Sequence, residues 1–569
     1  MKAVRKSVLH GTLASILGVI FFLLMFDVLL LDPTYYEWLL RLDPATQFIG
    51  WHFFRHESWH IPLGAANNYG MEMGGSIVYT DSIPLFAIAF KILNTVLPAK
   101  FQYFGMWILV CYMAQGVFGW LLSGLLTSRV FERYVITVFF IISPIMLARA
   151  LGHYALMSHW VILGALYLYL RRPRPNDSQA AVLWCVLLSL AAMIHAYLLC
   201  IGLAIWFAYL VRRIWIDRAV TYRQAIEFTV ATCGTVLFAM WIMGYFAIPV
   251  SDFSGGATYY GRFSANLNSL WNPLWGSRFL PPLPVVPGSE GEGFNYLGFG
   301  ILLMVPIVVT VLLREYRSWI VLRAYVPLIG VCLVLWVMAL SNQIAGGANV
   351  LITIPLPQFV LEMLAMLRAS GRFLWAAHYG ILLVVLGVTV RHFKPKVAAL
   401  LLTLSLTFQV VDLSLRYSFR KQHFHELYIN EPQARVSPLQ SPFWQAASKR
   451  YKNILFVPMT HQAKDYDAFA LFAGSNAMKI NVGYFARVSY PRVAAAESRL
   501  QDGLATGQLM EDSLYILWDS SIEIPYRLSP QDGSGFVDGY FVIAPKWFEF
   551  EECCGPQFGA LKPGSAGYN

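Results

Sequence analysis

The chain has 569 residues, 57% of them hydrophobic and 13% charged, with a mean hydropathy of +0.54. Soluble domains carry about a quarter charged residues, so composition excludes a large water-soluble enzyme and points to a polytopic membrane protein. The net charge of +10 does not indicate nucleic acid, because Lys and Arg fall in short clusters between apolar runs, as positive-inside loops do.

The first apolar run, 8–31, follows Lys2, Arg5 and Lys6. It is too long for a signal peptide and no small-residue cleavage site follows, so it reads as an uncleaved span with a cytoplasmic N-terminus. Further runs of spanning character lie at 104–126, 134–150, 158–170, 179–194, 196–211, 224–246, 297–313, 318–340, 373–390 and 397–413, eleven in all. The pair between Arg174 and Arg212 leaves barely 16 residues per helix and turns at His195, which requires local bilayer thinning. Alternate connections are basic: Arg129 and Arg133; Arg171, Arg172 and Arg174; Arg212, Arg213, Arg218 and Arg223; Arg314, Arg317 and Arg323; Arg391, Lys394 and Lys396. An odd number of spans then puts the C-terminal part outside.

Between the first two spans lies an outer loop, 32–103, holding Asp32, Glu37, Asp43, Glu57, Glu72 and Asp81 among Tyr35, Tyr36, Trp38, Trp51 and Trp59. Such aromatics suit the membrane–water interface. Ile83 to Leu97 is apolar but carries Lys91 and ends at Pro98, and reads as an interfacial helix. Two more non-spanning stretches, 247–296 and 341–372, fall on the same side. After Asp412 the composition becomes that of a soluble domain. The runs NILFVPM, LYILWD and GYFVIAP, with helical spacing around 494–504, predict an exported α/β domain over 414–569. Five Cys lie within apolar runs, and Cys553 and Cys554 are adjacent, so no disulfide network is indicated.

Asp43 is the leading candidate for chemistry, since a carboxylate can take the proton from an attacking sugar hydroxyl. As an Asp before Pro44 it equally reads as a helix cap, and so does Asp32. Asp81 is either a second acidic ligand or the cap of the interfacial helix. His52, His56 and His60 recur every four residues, a spacing that could gather three imidazoles on zinc. WHFFRHESWH reads better as an amphipathic interfacial helix, with His and Arg toward water, Trp and Phe toward lipid, and Pro62 ending it. Arg372, in RASGRF, can fork onto a phosphate or snorkel to headgroups; Arg368 lies near it if the segment is helical. Arg149, His153 and His159, in ARALGHYALMSHW, are ionisable groups at the end of a helical hairpin. Arg262 and Arg278 are secondary phosphate candidates. There is no GxGxxG, Walker or GxSxG motif, so nucleotide-driven chemistry and serine hydrolysis lack support.

The strings LDPATQFIGWHFFR, GSIVYTDSIPL, FQYFGMW, GHYALMSHW, NLNSLWNP, EGFNYLG and ASGRF resemble a bacterial multi-span family placed near the GT-C superfamily of membrane glycosyltransferases. The layout, with an Asp shortly after the first span, about eleven spans and an exported C-terminal domain, is similar to that superfamily as well. The resemblance implies transfer of a sugar from a polyprenyl-phosphate carrier to an envelope glycan or lipid acceptor at the periplasmic face of the inner membrane. Asp43 would be the base and Arg372 the balance for the carrier phosphate. Single acidic residues rather than an adjacent pair favour a metal-independent mechanism, so no cofactor is expected, although a divalent metal stays open. The partners implied are the lipid-linked donor, the acceptor and membrane lipids, without nucleic acid. A lipid-linked glycan flippase or a non-catalytic assembly scaffold are the rival readings; a flippase favours repeat symmetry, of which the sequence shows none.

Overall fold

A computed structural model describes residues 2–569 except 151, 173–177, 250–251, 253–259, 316–322, 429–436, 461–462, 519–525, 550–560 and 564–569. Arg174, Arg317, Cys553 and Cys554 lie outside the described residues. The chain divides into two compact units: one of Met1–Tyr35, Gln102–Ala239 and Gly255–Asn430, the other of Tyr36–Phe101, Met240–Ser254 and Glu431–Asn569.

The first unit is helical. Among the described residues seven helices are long and apolar enough to cross a membrane: Val8–Met25, Phe104–Leu126, Val130–Arg149, Ala196–Ile216, Tyr222–Met243, Ser370–His392 and Pro395–Ser418. Four apolar stretches expected to span form shorter helices, Tyr154–Leu170, Ser178–Ile194, Phe299–Arg314 and Val326–Leu340. The first helix lies against Phe104–Leu126 at backbone distance. A Cβ on Gly116 would stand 2.2 Å from the Ala14 carbonyl oxygen, and one on Gly18 2.2 Å from that of Tyr112, the small-residue contact that membrane helices use.

The basic connections gather at one end of this unit. Arg129 donates to the Val390 carbonyl at 2.6 Å, Arg391 to that of Leu125 at 3.0 Å, and Arg212 to that of Tyr169 at 2.9 Å. These bonds satisfy helix-end carbonyls that have no partner in their own helix. The other end holds Arg149, the start of the Ala196–Val211 helix, residues 289–297 and the turn at Ser370–Leu374. The Pro395–Tyr428 helix runs through residue 413 without a break, because its apolar pattern gives way to polar residues and not to a helix breaker. The C-terminal sheet-containing part therefore begins later than residue 414, at the Phe443–Arg450 helix.

The second unit is built on a six-stranded sheet in the order Lys562–Pro563, Gly533–Val537, Tyr540–Ala544, Ser513–Leu517, Asn453–Val457, Lys479–Ile480. The last three strands are parallel and the others antiparallel. Helices Tyr466–Ser475 and Tyr490–Thr506 link the parallel strands, so the α/β character read from the sequence is present.

Part of the outer loop belongs to this same unit. Gly70 N–H donates to the Ile480 carbonyl at 2.8 Å and Ile480 N–H to that of Asn68 at 3.0 Å, continuing the sheet past its edge. The Leu42–His56 helix lays Ala45, Ile49 and Phe53 into one core with Trp444, Phe469, Ala473 and Tyr69. A Cβ on Gly474 would meet His52 at 2.7 Å, so the two helices approach only because position 474 carries no side chain.

This overturns the interfacial reading of WHFFRHESWH. Both of its faces are buried: Trp51, Phe53 and Phe54, and also His52 and Arg55. Arg55 reaches inward to Asn94 Oδ1 at 2.8 Å and to the Pro98 and Ala99 carbonyls at 2.8 and 3.1 Å. The helix ends at His56, not at Pro62, so His60 does not share its face. The stretch after Asp81 is a nine-residue helix, Pro84–Ile92, with Lys91 buried 4.0 Å from the Phe54 ring centroid.

Candidate functional site

Within the helical unit two distant segments, 149–153 and 370–374, meet on one carboxylate, Glu292. It ends a short turn, Ser289–Glu292, at the close of the Gly-, Pro- and Asn-rich loop. Arg149, the last residue of the Pro144–Arg149 helix, donates through Nη1 to Glu292 Oε2 at 2.7 Å and through Nη2 to the Gly291 carbonyl at 3.0 Å. Arg372, in the Ser370–Leu374 turn, forks onto the same carboxylate, Nε to Oε2 at 2.6 Å and Nη2 to Oε1 at 2.9 Å. His153 Nε2 lies 3.3 Å from Oε1.

The Tyr197 ring carries the Arg372 guanidinium 4.6 Å from its centroid, and its hydroxyl accepts from Ala369 N–H at 2.8 Å. Close backbone packing fixes the arrangement: a Cβ on Gly371 would stand 2.6 Å from the Glu292 carbonyl oxygen. The side chains of Arg149, Arg372 and Glu292 are 5, 9 and 14% exposed. Burial alone would push the Glu292 carboxyl up, but the two guanidiniums and their hydrogen bonds hold it well below the usual carboxylate range. It is therefore a fixed anion and a poor base, and among the described residues two guanidiniums meet this one carboxylate.

Behind the cluster runs a buried polar chain. Gln115 Nε2 donates to the Phe140 carbonyl at 3.0 Å and to the Tyr379 hydroxyl at 3.2 Å. The Phe140 carbonyl can only accept, which fixes the Gln115 amide as the donor to Tyr379, whose hydroxyl also pairs with His159 Nδ1 at 2.9 Å. The second ring nitrogen of His159 is Nε2. That Nε2 and Arg149 Nε are both buried with no hydrogen-bond partner among the described residues. Both side chains lie against Trp375, with the His159 ring 4.4 Å and the Arg149 guanidinium 5.9 Å from its ring. A buried Arg149 N–H without a partner among the described residues, in a cationic cluster, suits a ligand rich in acceptor oxygens.

Of the residues singled out in the sequence, Arg149, His153 and Arg372 thus meet directly, with His159 beside them. Arg368 is exposed, and no continuous helix joins it to Arg372, since the Gln358–Ala365 helix stops short of both. Arg262 is exposed over Phe263, and Arg278 is exposed and donates to Ser414 Oγ at 2.7 Å; neither is among the contacts of Glu292. Asp43 and Asp81 belong to the other unit.

Asp43 is half-buried in the first turn of its helix, whose cap position is Arg41, so it is not the cap that an Asp before Pro suggests. It complements the helix dipole instead, and its charge acts on the Tyr466 hydroxyl. Asp81 has φ +54° and closes the Ile77–Thr80 turn. The following helix starts from Ile83 without a side-chain cap, so Asp81 does not cap it. Asp32 does not cap a helix at Pro33 either: no helix starts there, and its carboxylate accepts from Thr34 N–H at 2.8 Å in a local turn after Val28–Leu31. Among the described residues no group of three or more His, Cys, Asp and Glu is placed to hold a metal ion.

Sequence reasoning did not single out Glu292, Tyr197, Trp375 or Tyr379. Glu292 stands in the string EGFNYLG, but its pairing with Arg149 across 143 positions leaves no local signal.

Fold and site together define a polytopic helical membrane protein with a C-terminal sheet domain and a buried arginine–glutamate cluster at one end of its helices. The chain belongs to a family described as a domain of unknown function, DUF6311, which matches residues 15–414. The DUF6311 C-terminal domain matches residues 443–545. No curated protein matches the chain.

Proposed function

We propose that the chain is an inner-membrane glycosyltransferase that moves a sugar from a polyprenyl-phosphate carrier to an envelope glycan or lipid acceptor. The observation that carries this reading is the Arg149–Glu292–Arg372 cluster. It lies at the ends of apolar helices, where a lipid phosphate resides, and among the described residues it sets two guanidiniums on one carboxylate, with the buried Arg149 Nε donor lacking a partner. Guanidinium forks bind phosphate strongly in dry surroundings. All eleven apolar helices cross in this reading, the pair between Arg174 and Arg212 where the bilayer thins locally. The basic end is cytoplasmic by the positive-inside rule, which puts the cluster and the C-terminal domain on the periplasmic side and the N-terminus in the cytoplasm.

Asp43 is the proposed base, with Asp81 a secondary acidic group, both on the strength of the GT-C resemblance. The Asp43 carboxylate takes the acceptor hydroxyl proton, the acceptor oxygen bonds to the anomeric carbon, and the bond from that carbon to the phosphate oxygen breaks. The polyprenyl phosphate leaves with its charge balanced by Arg372 and Arg149.

The test is transfer of labelled sugar from polyprenyl-phosphate sugars to envelope glycan in proteoliposomes, alongside binding of polyprenyl phosphate alone. Asp43→Asn abolishes transfer but keeps binding, whereas Arg372→Gln weakens both. Full transfer by Asp43→Asn removes the base assignment. Carrier translocation without any transfer overturns the enzyme and favours a flippase.

A further inference from the structure

The helical unit carries an apolar element at the Glu292 end that is neither a span nor part of the core. Residues 343–354 form a hairpin of strands Gln343–Gly346 and Asn349–Thr353, followed by the helix Gln358–Ala365. All five residues of the second strand are exposed. Val350 and Ile352 point to one face of the strand and Leu351 to the other, so neither face is shielded. Ile354, Phe359 and Met363 extend the exposed surface; Leu351 is 58% and Phe359 65% exposed. On the helix, Phe359 and Met363 stand one turn apart. Gln358, which donates to Glu362 at 3.1 Å, makes a separate polar stripe.

This surface continues from a membrane-facing one. The hairpin follows directly on the Val326–Leu340 helix, whose Ile329, Leu333 and Val337 form an exposed apolar stripe. That helix has 15 residues and is about 22 Å long, against a hydrocarbon core of about 30 Å. Some 8 Å of hydrocarbon therefore lies beyond its end, and the hairpin and helix supply apolar surface there.

We infer that residues 343–365 insert into the lipid leaflet at the Glu292 end, with the hairpin and short helix at the boundary of headgroups and acyl chains. That depth suits the backbone as well. The inner strand and the turn are tied to the protein, with Asn266 Nδ2 donating to the Gly347 carbonyl at 2.8 Å, Gly347 N–H to Asn266 Oδ1 at 3.0 Å, and Leu267 N–H to the Ala345 carbonyl at 2.9 Å. The outer strand edge faces outward, and headgroup water can satisfy it there but not in the hydrocarbon centre. Exposed Arg368 then lies where a cation meets lipid phosphate. The inference does not depend on the transferase reading.

The experiment places the photo-reactive amino acid p-benzoylphenylalanine at Leu351, Phe359, Val337 or Phe536, one at a time, in the full chain. The protein is reconstituted in vesicles of phosphatidylethanolamine and phosphatidylglycerol, irradiated, and weighed by mass spectrometry. All four positions are exposed, so a bulky aromatic replaces an exposed apolar side chain without entering a core. Phospholipid adducts at 351 and 359 are expected within about two-fold of the yield at 337 in the span, and at least about ten-fold above that at 536 in the sheet domain. Adducts at 337 with none at 351 or 359 overturn the insertion, and so does equal labelling at 536. A cross-linked dimer of the chain at 351 or 359, in place of lipid adducts, makes this face an interface between copies instead.

Discussion

Removing the Glu292 charge tests the cluster most directly. Each guanidinium–carboxylate pair contributes roughly 4 kcal/mol of attraction at a charge separation near 4 Å and an effective dielectric of about 20. Part of this is offset by the cost of desolvating the charges. The net loss for Glu292→Ala is about 3–5 kcal/mol, the usual cost of leaving buried charge uncompensated. Arg372→Met alone costs about 2–3 kcal/mol, since Arg149 still balances the carboxylate while two charge-assisted hydrogen bonds are lost. In the double variant one of the two cations that Glu292→Ala would strand, Arg372, is itself gone, so the combined loss falls short of the sum by about 1–3 kcal/mol. The assay is equilibrium unfolding in detergent micelles, followed by tryptophan fluorescence and by circular dichroism. Losses that add within about 0.5 kcal/mol would refute an energetically coupled cluster.

Glu292 also sets a pH dependence. Its folded pKa lies well below the ordinary 4.5, so its contribution is complete above 4.5, is lost as pH falls below that value, and is absent from Glu292→Gln; parallel acid-unfolding curves for the two proteins would contradict this. His52, buried in the sheet-containing unit and next to His56 and Arg55, is pushed by burial from 6.5 to about 3. Between those values the unfolded chain binds a proton that the folded one refuses, so stability falls as pH falls, by about 1.4 kcal/mol per pH unit. His52→Gln should flatten that slope apart from a remainder from His56, as pH-dependent unfolding would show. A fragment of residues 431–569 alone should not unfold cooperatively, because it lacks Ile49, Phe53, Tyr69 and Tyr79 from its core. At about 1.5–3 kcal/mol each, their loss rivals the whole stability of a domain, about 5–15 kcal/mol. Adding residues 36–101 and 240–254 through linkers should restore a sharp transition, and a sharp transition without them would show that the domain folds alone.

Much of this architecture was legible because membrane and sheet leave periodic marks. Apolar runs such as 104–126 and 397–413 became helices, since apolar length is local information that lipid reads directly. The basic loops came together at one end for the same reason. NILFVPM, LYILWD and GYFVIAP became neighbouring strands, because β-type runs between turns bury on both faces of a sheet. WHFFRHESWH misled because period alone does not say what covers a face. Its His and Arg look outward in sequence but are buried, with inward partners at Asn94, Pro98 and Ala99 that no local pattern announces.

The sequence by itself determined that the chain is a membrane protein, where its apolar helices run, and that its C-terminal part mixes strand and helix. It also marked Arg149, His153 and Arg372 as ionisable groups in places where charge needs a reason. Only the tertiary structure decided that these three share one carboxylate, that His159 stands beside them with a ring nitrogen lacking a partner among the described residues, and that the Asp43 helix completes the core of the C-terminal domain. The reason is range. Hydrophobic period and charge clusters are written within some twenty residues, whereas an ion pair or a shared core is fixed by packing between segments hundreds of positions apart, whose energy depends on burial that no single segment possesses.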